Sequence, residues 1–426
     1  MATLGDSNTV YTSVKDYYGK VLESSKDLKT SACTAGAAPH PLVRKIISTI
    51  PDAVNDKFYG CGNPLPLGIE GMDVLDLGSG SGRDCYVAAA LVGAQGSVTG
   101  VDMTDEQLST ARENIAAFGE TLGYTPNLKF LTGYIEELQA AGVPDSSADI
   151  CISNCVINLS PDKPRVFAGV YQALRSGGEL HFSDVYADRQ LPAAVRSHDV
   201  LLGECIGGAL FAEEFEQMAV DIGFARPRVL SVGHIAINDP ELLALVGDAR
   251  FFSITYRLFK VQDRVEIDEG GFVAEYLGTI EGHEDKYKLD VDHVFTKGVS
   301  VCVDAATAAV LSSTWLARFF VVSKVQSADG FEPAVSTTST ESLMDQAYKA
   351  SSSSSGCCAP KSKETSGCCA PKSKETSGCC APKSKETSGC CAPKKSTADC
   401  CSKSDDADKK VNSKLEMLSC SGNSCC

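Results

Sequence analysis

Hydrophobic positions in the first part of this chain follow a helical period. Apolar side chains would share one face of a helix over residues 10–28, at Val10, Val14, Tyr17 and Val21. A second helix is predicted from Pro41 to about Ile50, and residues 55–71 are rich in Gly and Pro, which favours a loop. We therefore expect an N-terminal helical segment followed by loops.

From Met72 onward, short apolar runs alternate with helical segments. Strands are predicted in MDVLDLG, SVTGVDM, NLKFLTG, ADICISNC and GELHFSDVY, and later near Val229–Val232 and Phe251–Val261. Helices are predicted over residues 83–91, 105–119 and 164–174. Strands that alternate with helices through short loops are typical of an α/β fold with a parallel, doubly wound, Rossmann-like sheet.

The remaining segments differ in pattern. Residues 187–226 are mainly helical and are expected to cap the carboxyl edge of the sheet. Residues 346–426 are rich in Ser, Lys and Cys and low in large apolar groups, which predicts disorder. The predicted divisions are an N-terminal segment (1–70), a sheet domain (71–186), a cap with the last strands (187–262), a small α+β C-terminal domain (263–345) and a tail (346–426).

Composition and charge narrow the class of protein. Hydrophobic residues make up 43% of the chain, and 39 Lys and Arg against 55 Asp and Glu give a net charge of −16. This charge opposes phosphate, so we expect no binding to nucleic acid or anionic membranes. We see no signal peptide and no run approaching the ~20 apolar residues of a membrane span. The expectation is a cytoplasmic monomer whose 20 cysteines do not form a disulfide framework.

The tail contains a repeated unit. GCCAPKSKETS begins at Gly356, Gly367 and Gly378, and a diverging copy begins at Gly389. Adjacent cysteines on a flexible chain can chelate soft metals. Two interpretations stay open: the repeats capture, deliver or store a thiophilic substrate, or they form an expanded linker without a catalytic role.

A glycine-rich loop, Asp76-Leu-Gly-Ser-Gly-Ser-Gly82, joins the first predicted strand of the sheet to a helix. Gly78 and Gly80 allow the backbone to turn sharply beside a ligand, and Gly82 allows close packing onto the helix. A dinucleotide loop requires a small residue at its sixth position, where this chain has Arg83. The spacing instead resembles the loop of class I S-adenosylmethionine-dependent methyltransferases.

That resemblance indicates where a methyl donor would bind. Asp102 ends the next predicted strand, where a carboxylate can accept hydrogen bonds from both ribose hydroxyls. Asp76 would approach the methionine ammonium, and residues 133–136 lie where the family reads the adenine. The predicted donor-binding residues are Asp76, Gly78, Ser79, Gly80, Gly82, Asp102, Met103, Ile135, Glu136 and Asn154.

Four separated cysteines surround this loop: Cys33, Cys61, Cys155 and Cys205. Cys155 follows a predicted strand at the edge where doubly wound sheets bind ligands. Cys205 lies in the predicted cap, and the two glycines after it, at 207 and 208, would permit close approach. Soft thiolates select soft acceptors such as arsenic(III), whose lone pair is itself a nucleophile. Such an acceptor requires no general base.

Other candidate residues have ordinary structural interpretations. Small buried hydrophobes are expected at Cys85, Cys151 and Cys302. Asp184, Tyr186, Asp188 and Arg189 follow the fifth predicted strand at the same edge of the sheet. A salt-bridged loop is expected there, or else a segment that orders the cap or the donor site. Glu204 is either a solvated helix carboxylate or a group that relays the proton of Cys205.

Taken together, these segments are similar to arsenic(III) S-adenosylmethionine methyltransferases. The match covers about residues 10–345, in YYG, TSAC, YGCG, VLDLGSGSGRD, SNCVINL, FSDVYADR and GECIGGAL. The resemblance implies that Cys155 and Cys205 bind arsenic, with Cys61 as the third ligand. It also implies that Cys61 and Cys33 take part in disulfides that supply electrons and are restored by thioredoxin or glutathione. The implied substrates are arsenite and methylarsenite, and the implied products are mono-, di- and sometimes trimethylarsenicals.

Two other functions stay open from the residues alone. One is methyl transfer to a small carbon, oxygen or nitrogen acceptor, although such an acceptor usually requires a positioned base. The other is a soft-metal sequestration protein in which the fold is a platform for the tail. Removal of the chain after residue 345 would distinguish this last function, because an enzyme would keep methyl transfer and a sequestration protein would lose most of its binding.

Overall fold

The computed structural model of the chain describes residues 7–17, 38–261, 271–325 and 338–354. The predicted catalytic residue Cys33 and the repeats of the tail lie outside these residues. In the part of the chain that is described, no helix has the length and apolar character required to cross a membrane.

A mixed sheet of eight strands forms the centre of the fold. Its strands are β1 (Asp73–Leu77), β2 (Ser97–Asp102), β3 (Leu128–Thr132), β4 (Ala148–Asn154), β5 (Leu174–Ala187), β6 (Leu210–Phe211), β7 (Arg228–Ile235) and β8 (Phe251–Phe259). They lie in the order β3-β2-β1-β4-β5-β8-β7, with β6 paired to the end of β5. The Rossmann-like α/β class is confirmed.

The direction of the last strands differs from the prediction. β1 to β5 are parallel, as expected. β8, however, runs antiparallel to both β5 and β7. The expectation of a parallel sheet is wrong at this edge because β7 and β8 are consecutive strands that pair directly, and β8 therefore enters beside β5 in the opposite direction.

Helices flank the sheet and form the cap. They are α1 (Ser7–Asp16), α2 (Pro41–Ile47), α3 (Asp52–Asn55), α4 (Arg83–Val92), α5 (Asp105–Glu113), α6 (Ile115–Leu122), α7 (Lys163–Ala173), α8 (Ala193–Arg196), α9 (Asp199–Gly203), α10 (Ala212–Ile222) and α11 (Pro240–Val246). The helix predicted over 105–119 is two helices, which separate at Asn114. The side chain of Asn114 donates a hydrogen bond to Thr110 O at 2.8 Å, so a side chain competes with the helical backbone there.

Sequence signals fix the helix starts near the sheet edge. Asp162 caps α7 by accepting a hydrogen bond from Arg165 N at 3.2 Å, and a proline occupies the first turn. α4 begins after Gly82, whose φ of 92° lies in the left-handed region. A Cβ at Gly82 would lie 2.7 Å from the ring of Phe130, so only glycine fits this turn.

The C-terminal segment adds two small antiparallel sheets. Its elements are β9 (Phe272–Tyr276), β10 (Lys286–Lys288), β11 (Val294–Thr296), β12 (Ser300–Val303), α12 (Ala305–Ser313), β13 (Phe320–Lys324) and α13 (Thr340–Ser354). The strands pair as β12-β9-β13 and β10-β11. These elements confirm the predicted α+β character of residues 263–345 within the ranges described.

The C-terminal segment shares its packing with the central sheet. Tyr276 and Phe320 belong to the same apolar cluster as α4 and β2. Arg228 at the start of β7 donates to Asp290 at 2.6 Å, and both side chains are buried. The predicted boundary at residue 346 is wrong, because α13 continues to Ser354 and places the ring of Tyr348 5.0 Å from that of His234.

Apolar residues form three clusters around the sheet. One cluster packs α2, α4 and the C-terminal segment against one face, and a second packs α7, α10 and α13 against the other. The third lies at the carboxyl edge, beneath α8 and α9, and includes Cys61, Cys155 and Cys205 together with Val10 and Val14 of α1. The predicted cap over this edge is thus present.

Candidate functional site

Three of the four predicted cysteines meet beneath the cap. Cys61 and Cys155 form a disulfide with their Cα atoms 5.7 Å apart. Cys205 keeps its thiol, and its Sγ donates a hydrogen bond to Cys155 O at 2.9 Å. All three residues are buried. The fold therefore brings together sulfur atoms from a loop, a strand end and the cap.

The backbones of Cys155 and Cys205 are strained. Their φ angles are 58° and 64°, in the left-handed region that side chains with a Cβ rarely adopt. Such a conformation costs of order 1–3 kcal/mol and is concentrated at functional sites. Hydrogen bonds retain both turns, from Cys155 N to Ser183 O at 2.8 Å and from Cys205 N to Leu202 O at 3.0 Å. The two sulfur atoms lie within 4.8 Å of each other.

Asp184 is the third member of this cluster. A carboxylate oxygen of Asp184 lies within 4.8 Å of both sulfur atoms. Its side chain accepts hydrogen bonds from Val185 N at 2.8 Å and Asn158 N at 3.0 Å. Burial raises the pKa of Asp184 to about 7, although these hydrogen bonds oppose the shift. A carboxyl group with this pKa can give and take a proton near neutral pH.

Two expectations about the acidic residues need correction. Asp188 does form the predicted salt-bridged loop, with its Oδ2 2.7 Å from Arg250 Nε, but Asp184 is buried at the sulfur cluster instead. Glu204 is fully buried, so the solvated interpretation is wrong. Its Oε1 accepts a hydrogen bond from Tyr17 Oη at 3.1 Å, which links the residue after α1 to the cap.

A buried lysine beside the cluster was not predicted from the sequence. Lys163 is the first residue of α7, and its Nζ donates to Ser160 O at 2.9 Å. Burial lowers the pKa of Lys163 to about 8, and attraction by Asp184 and Cys205 opposes that shift. The sequence did contain one signal for Lys163. A lysine at a helix N-terminus is unfavourable because its charge opposes the helix dipole, so its presence there indicates a role other than helix stabilisation.

The cap packs tightly against the loop after β4. A Cβ at Gly208 would collide with the carbonyl oxygen of Asn158, and a Cβ at Gly207 would lie 3.0 Å from Leu202 N. The side chain of Asn158 donates to Val185 O at 2.5 Å and to Cys205 O at 3.4 Å. The predicted close approach at these two glycines is confirmed, and it seats Cys205 against the end of the sheet.

A cavity that is partly open to solvent lies next to the sulfur cluster. Nine of the ten predicted donor-binding residues line it, at Asp76, Gly78, Ser79, Gly80, Asp102, Met103, Ile135, Glu136 and Asn154. Gly82 instead shapes the turn beneath it. Gly78 and Gly80 have φ angles of 65° and 52°, which confirms the sharp turns predicted there. Cys155 also lines this cavity.

The cavity wall is acidic. Asp102 accepts hydrogen bonds from Gly80 N and Thr104 N, at 2.9 and 2.8 Å, and burial raises its pKa. Burial raises the pKa of Asp76 well above its ordinary value, and the neighbouring charge of Asp84 adds to the shift. A positively charged ligand would relieve this repulsion, because it favours the ionised form of each carboxyl group.

Asn154 connects the cavity to the disulfide. Its side chain accepts from Gly62 N and donates to Gly62 O, both at 3.1 Å, and also donates to Asp84 Oδ2 at 2.9 Å. It therefore positions the loop that carries Cys61, in addition to lining the cavity. Glu136 accepts a hydrogen bond from Ser160 Oγ.

Helix α1 covers the cavity, a role that sequence periodicity did not reveal. Tyr11 and Val14 line it, and the ring of Tyr11 lies 4.5 Å from that of Tyr134. Burial and the charge of Glu136, which hydrogen-bonds the Tyr11 hydroxyl, raise the pKa of Tyr11. Tyr11 and Tyr134 are far apart in the sequence, so no local sequence pattern predicts their contact.

The remaining cysteines of the described residues lie apart from this cluster. Cys85 and Cys151 are fully buried, as predicted, and Cys302 is half-buried on β12. Cys85 Sγ lies 3.1 Å from Asp76 Oδ2.

Comparison with known proteins gives two matching family models. A "Methyltransferase domain" model matches residues 69–223, and an "Arsenite methyltransferase C-terminal domain" model matches residues 270–380. The first covers the sheet and most of the cap. The second begins at the segment that docks beside β7.

Several named relatives align over most of this chain. The arsenite methyltransferase of Mus musculus is 41% identical over 85% of this chain and 99% of its own length. That of Aquipseudomonas alcaligenes is 46% identical over 73% of this chain and 90% of its own. A crystal structure of an arsenic(III) S-adenosylmethionine methyltransferase from Chlamydomonas reinhardtii aligns with a TM-score of 0.65 at 52% identity, over 68% of this chain and 98% of that one.

Proposed function

This chain belongs to the arsenite methyltransferase family, and we propose that it transfers methyl groups from S-adenosylmethionine to trivalent arsenic held by Cys155 and Cys205. The observation that carries the proposal is the sulfur cluster beside the acidic cavity, with Cys155 bordering both. The proposed products are mono- and dimethylarsenicals. Their formation would serve arsenic detoxification.

The cavity suits the methyl donor in charge and in layout. Asp102 would accept hydrogen bonds from the ribose hydroxyls, and Asp76 and Asp84 would face the methionine ammonium. The acidic wall favours the sulfonium donor over its neutral thioether product. α1, through Tyr11 and Val14, would exclude water from the bound donor.

Arsenic binding requires that Cys155 first be released from its disulfide. Arsenous acid then exchanges two hydroxyl groups for the thiols of Cys155 and Cys205, and each exchange releases one water. Each departing hydroxide requires a proton, and each thiol gives one up. Asp184, with a pKa of about 7, can pass the proton from thiol to hydroxide. Lys163 would stabilise the thiolates by its charge.

The arsenic lone pair then attacks the methyl carbon in line with the departing sulfur of S-adenosylhomocysteine. Thiolate ligands position the nucleophile, so this step depends on orientation rather than on a base. Transfer formally oxidises arsenic(III) to arsenic(V), and two electrons must return it to arsenic(III). We propose that Cys61 and Cys155 supply these electrons by forming their disulfide, and that thioredoxin or glutathione restores the thiols.

The direct assay follows arsenic and methyl together. Full-length protein would be incubated with arsenite, a thiol reductant and donor labelled in its methyl group, and the arsenic species would be separated by liquid chromatography with elemental detection. Labelled methylarsenite should appear first and labelled dimethylarsenical later. Donor turnover without label on arsenic would instead indicate a carbon, oxygen or nitrogen acceptor.

A further inference from the structure

The sulfur cluster contains an oxygen ligand besides its two sulfur ligands. Cys155 Sγ, Cys205 Sγ and a carboxylate oxygen of Asp184 lie within 4.8 Å of one another, and all three residues are buried. Within the part of the chain that the structure describes, no other three Cys, His, Asp or Glu side chains converge in this way. Two thiolates beside a carboxylate are also a ligand set for divalent cations of the zinc type.

The separations in the cluster suit a tetrahedral ion. Zinc–sulfur bonds of about 2.3 Å place two neighbouring sulfur ligands about 3.8 Å apart. The ligand atoms of the cluster would therefore approach one another by roughly 1 Å at most. Cys155 must first be released from its disulfide with Cys61, as arsenic binding also requires. The released Cys61 or a water molecule would take the fourth position.

The carboxylate of Asp184 is held in place and keeps room for a further partner. It accepts hydrogen bonds from the backbone N–H groups of Val185, Asn158 and Ile157. A carboxylate has about four lone-pair directions, so about one stays available for a ligand. These backbone hydrogen bonds would orient Asp184 in the same way before and after a cation binds.

The charges of the cluster also match a divalent cation. Two thiolates and the Asp184 carboxylate carry three negative charges, and the buried ammonium of Lys163 beside them carries one positive charge. Two negative charges stay unbalanced, and buried charges are stable only when they are paired or coordinate a metal. A divalent cation balances them. Arsenic(III), by contrast, is neutral once thiolates bind it, and it leaves Asp184 and Lys163 to balance each other.

We propose that the reduced protein binds a divalent thiophilic cation, of the class of zinc and cadmium, through Cys155, Cys205 and Asp184. The cation would enter through the donor cavity, which Cys155 lines and which is partly open to solvent. Binding displaces one proton from each thiol and changes no oxidation state.

The cation and arsenic would compete for the same two thiolates, a consequence that rests on the proposed function. Asp184 distinguishes the two ligands. A tetrahedral cation uses the carboxylate as a ligand, whereas three-coordinate arsenic(III) does not need it. Loss of the carboxylate should therefore weaken binding of the cation and leave both thiolates available to arsenic.

The first test locates the cation by cadmium nuclear magnetic resonance. Full-length protein reduced with a phosphine would be held at fixed free cadmium by a metal-ion buffer, so that the other cysteines of the chain do not deplete the ion. One cadmium resonance should disappear in both Cys155→Ser and Cys205→Ser, while any resonance from other cysteines persists. A spectrum in which no resonance depends on both residues would overturn the proposal.

The second test isolates the carboxylate. Asp184→Asn should raise the free cadmium required for half of this signal at least about tenfold, because loss of even an outer-shell partner costs about 10–100-fold in metal affinity. Asp188→Asn is the matched control, since Asp188 is held by Arg250 at 2.7 Å, and it should change this concentration by less than about twofold. Equal effects of the two substitutions would contradict the role of Asp184.

The parent protein provides a measurement that does not depend on the folding of either variant. Anomalous diffraction at the zinc edge, from reduced crystals equilibrated with zinc, should place the ion at bonding distance from Cys155, Cys205 and Asp184. An ion bound to the two sulfur atoms but not to the carboxylate would contradict the proposal.

These measurements are independent of methyl transfer. A cation site in a protein that forms no methylated arsenic would overturn the proposed function and leave the cation site intact. Methylation of sub-saturating arsenite should slow as free cadmium fills the site. An unchanged rate at a cadmium concentration that fills the site would overturn the competition between the two ligands.

Discussion

At the residue scale, the site depends on side chains whose surroundings change their ordinary chemistry. Cys155 and Cys205 occupy strained backbone conformations, and Asp184 and Lys163 have pKa values of about 7 and 8 because they are buried. The sequence indicated the cysteines through their spacing around the glycine loop. It placed Asp184 at the same edge of the sheet but favoured a salt-bridged loop there, and it did not indicate Lys163, because burial is a property of the packed fold.

Replacing either arsenic-binding cysteine should abolish turnover. Cys155→Ser and Cys205→Ser each remove one of the two thiolates proposed to hold arsenic, so we expect at least a hundredfold loss of methylarsenite formation, on the order of the loss of a positioned reactant. Cys302→Ser is the matched control, since Cys302 is half-buried on β12 away from the cluster. Full activity in either of the first two variants would contradict the assignment.

Cys61→Ser should separate the two methylations. It removes the sulfur that the resemblance assigns as the third ligand of arsenite, so the first methylation should be slowed most. Loss of the disulfide with Cys155 affects the return of electrons in both methylations. A monomethylated substrate needs only two protein thiols, so methylation of supplied methylarsenite should be less affected. The test is to measure the rate of methylation separately with arsenite and with methylarsenite. Equal loss of rate with both substrates would contradict a role of Cys61 that is specific to the first methylation.

Asp184 should make stability depend on pH in a distinctive direction. Burial raises its pKa from 3.8 to about 7, so the folded state binds more protons than the unfolded chain between about pH 4 and 7. Its contribution to the free energy of unfolding therefore falls as pH rises through that window, by at most ~1.4 kcal/mol per pH unit. Urea unfolding of Asp184→Asn and the parent from pH 5 to 8 should show the variant gaining relative stability. Parallel curves would show that Asp184 does not titrate there.

At the element scale, strands and helices with strong apolar patterns were predictable. The runs at β1 and β4 are mostly buried on both faces of the sheet, and such strands have nearly continuous apolar sequences. The reversed direction of β8 was not predictable, because it depends on which neighbour a strand finds in space. For the same reason the role of α1 was not predictable, because the contact of Tyr11 with Tyr134 joins residues that are far apart in the sequence.

The covering helix α1 should contribute to donor binding. Tyr11→Ala removes the ring that packs on Tyr134, and we expect the Kd for S-adenosylmethionine to rise about tenfold, as for loss of a buried aromatic contact of ~1.4 kcal/mol. Tyr11→Phe keeps the ring and loses the hydroxyl near Glu136. Calorimetric titration should give it an intermediate Kd. Unchanged binding by the alanine variant would show that α1 does not cover the bound donor.

At the scale of the whole molecule, the fold unites the sheet, the cap and the C-terminal segment. The topological rule that ligands bind at the carboxyl edge of a doubly wound sheet was enough to predict the meeting of Cys155 with the donor cavity. The predicted boundary at residue 346 was wrong, because α13 is rich in polar residues and packs on β7 mainly through its first half and Tyr348.

The position of a truncation should decide whether the protein stays stable. A chain ending at Ser354 keeps α13, the last helix of the described residues, and should retain methyl transfer within about twofold. A chain ending at residue 345 loses the ring of Tyr348 beside His234 and Arg250, and we expect Tm to fall by about 2–4 °C for each kcal/mol lost. Calorimetry and turnover would be measured on both. Loss of arsenite binding in the chain ending at 354 would favour the sequestration function.

The most direct measurement is anomalous diffraction at the arsenic edge from crystals of the reduced protein soaked with arsenite. The account predicts one strong arsenic peak bonded to the sulfur atoms of Cys155 and Cys205, beside Asp184 and facing the donor cavity. Arsenic bound elsewhere, with these two sulfur atoms unoccupied, would contradict it.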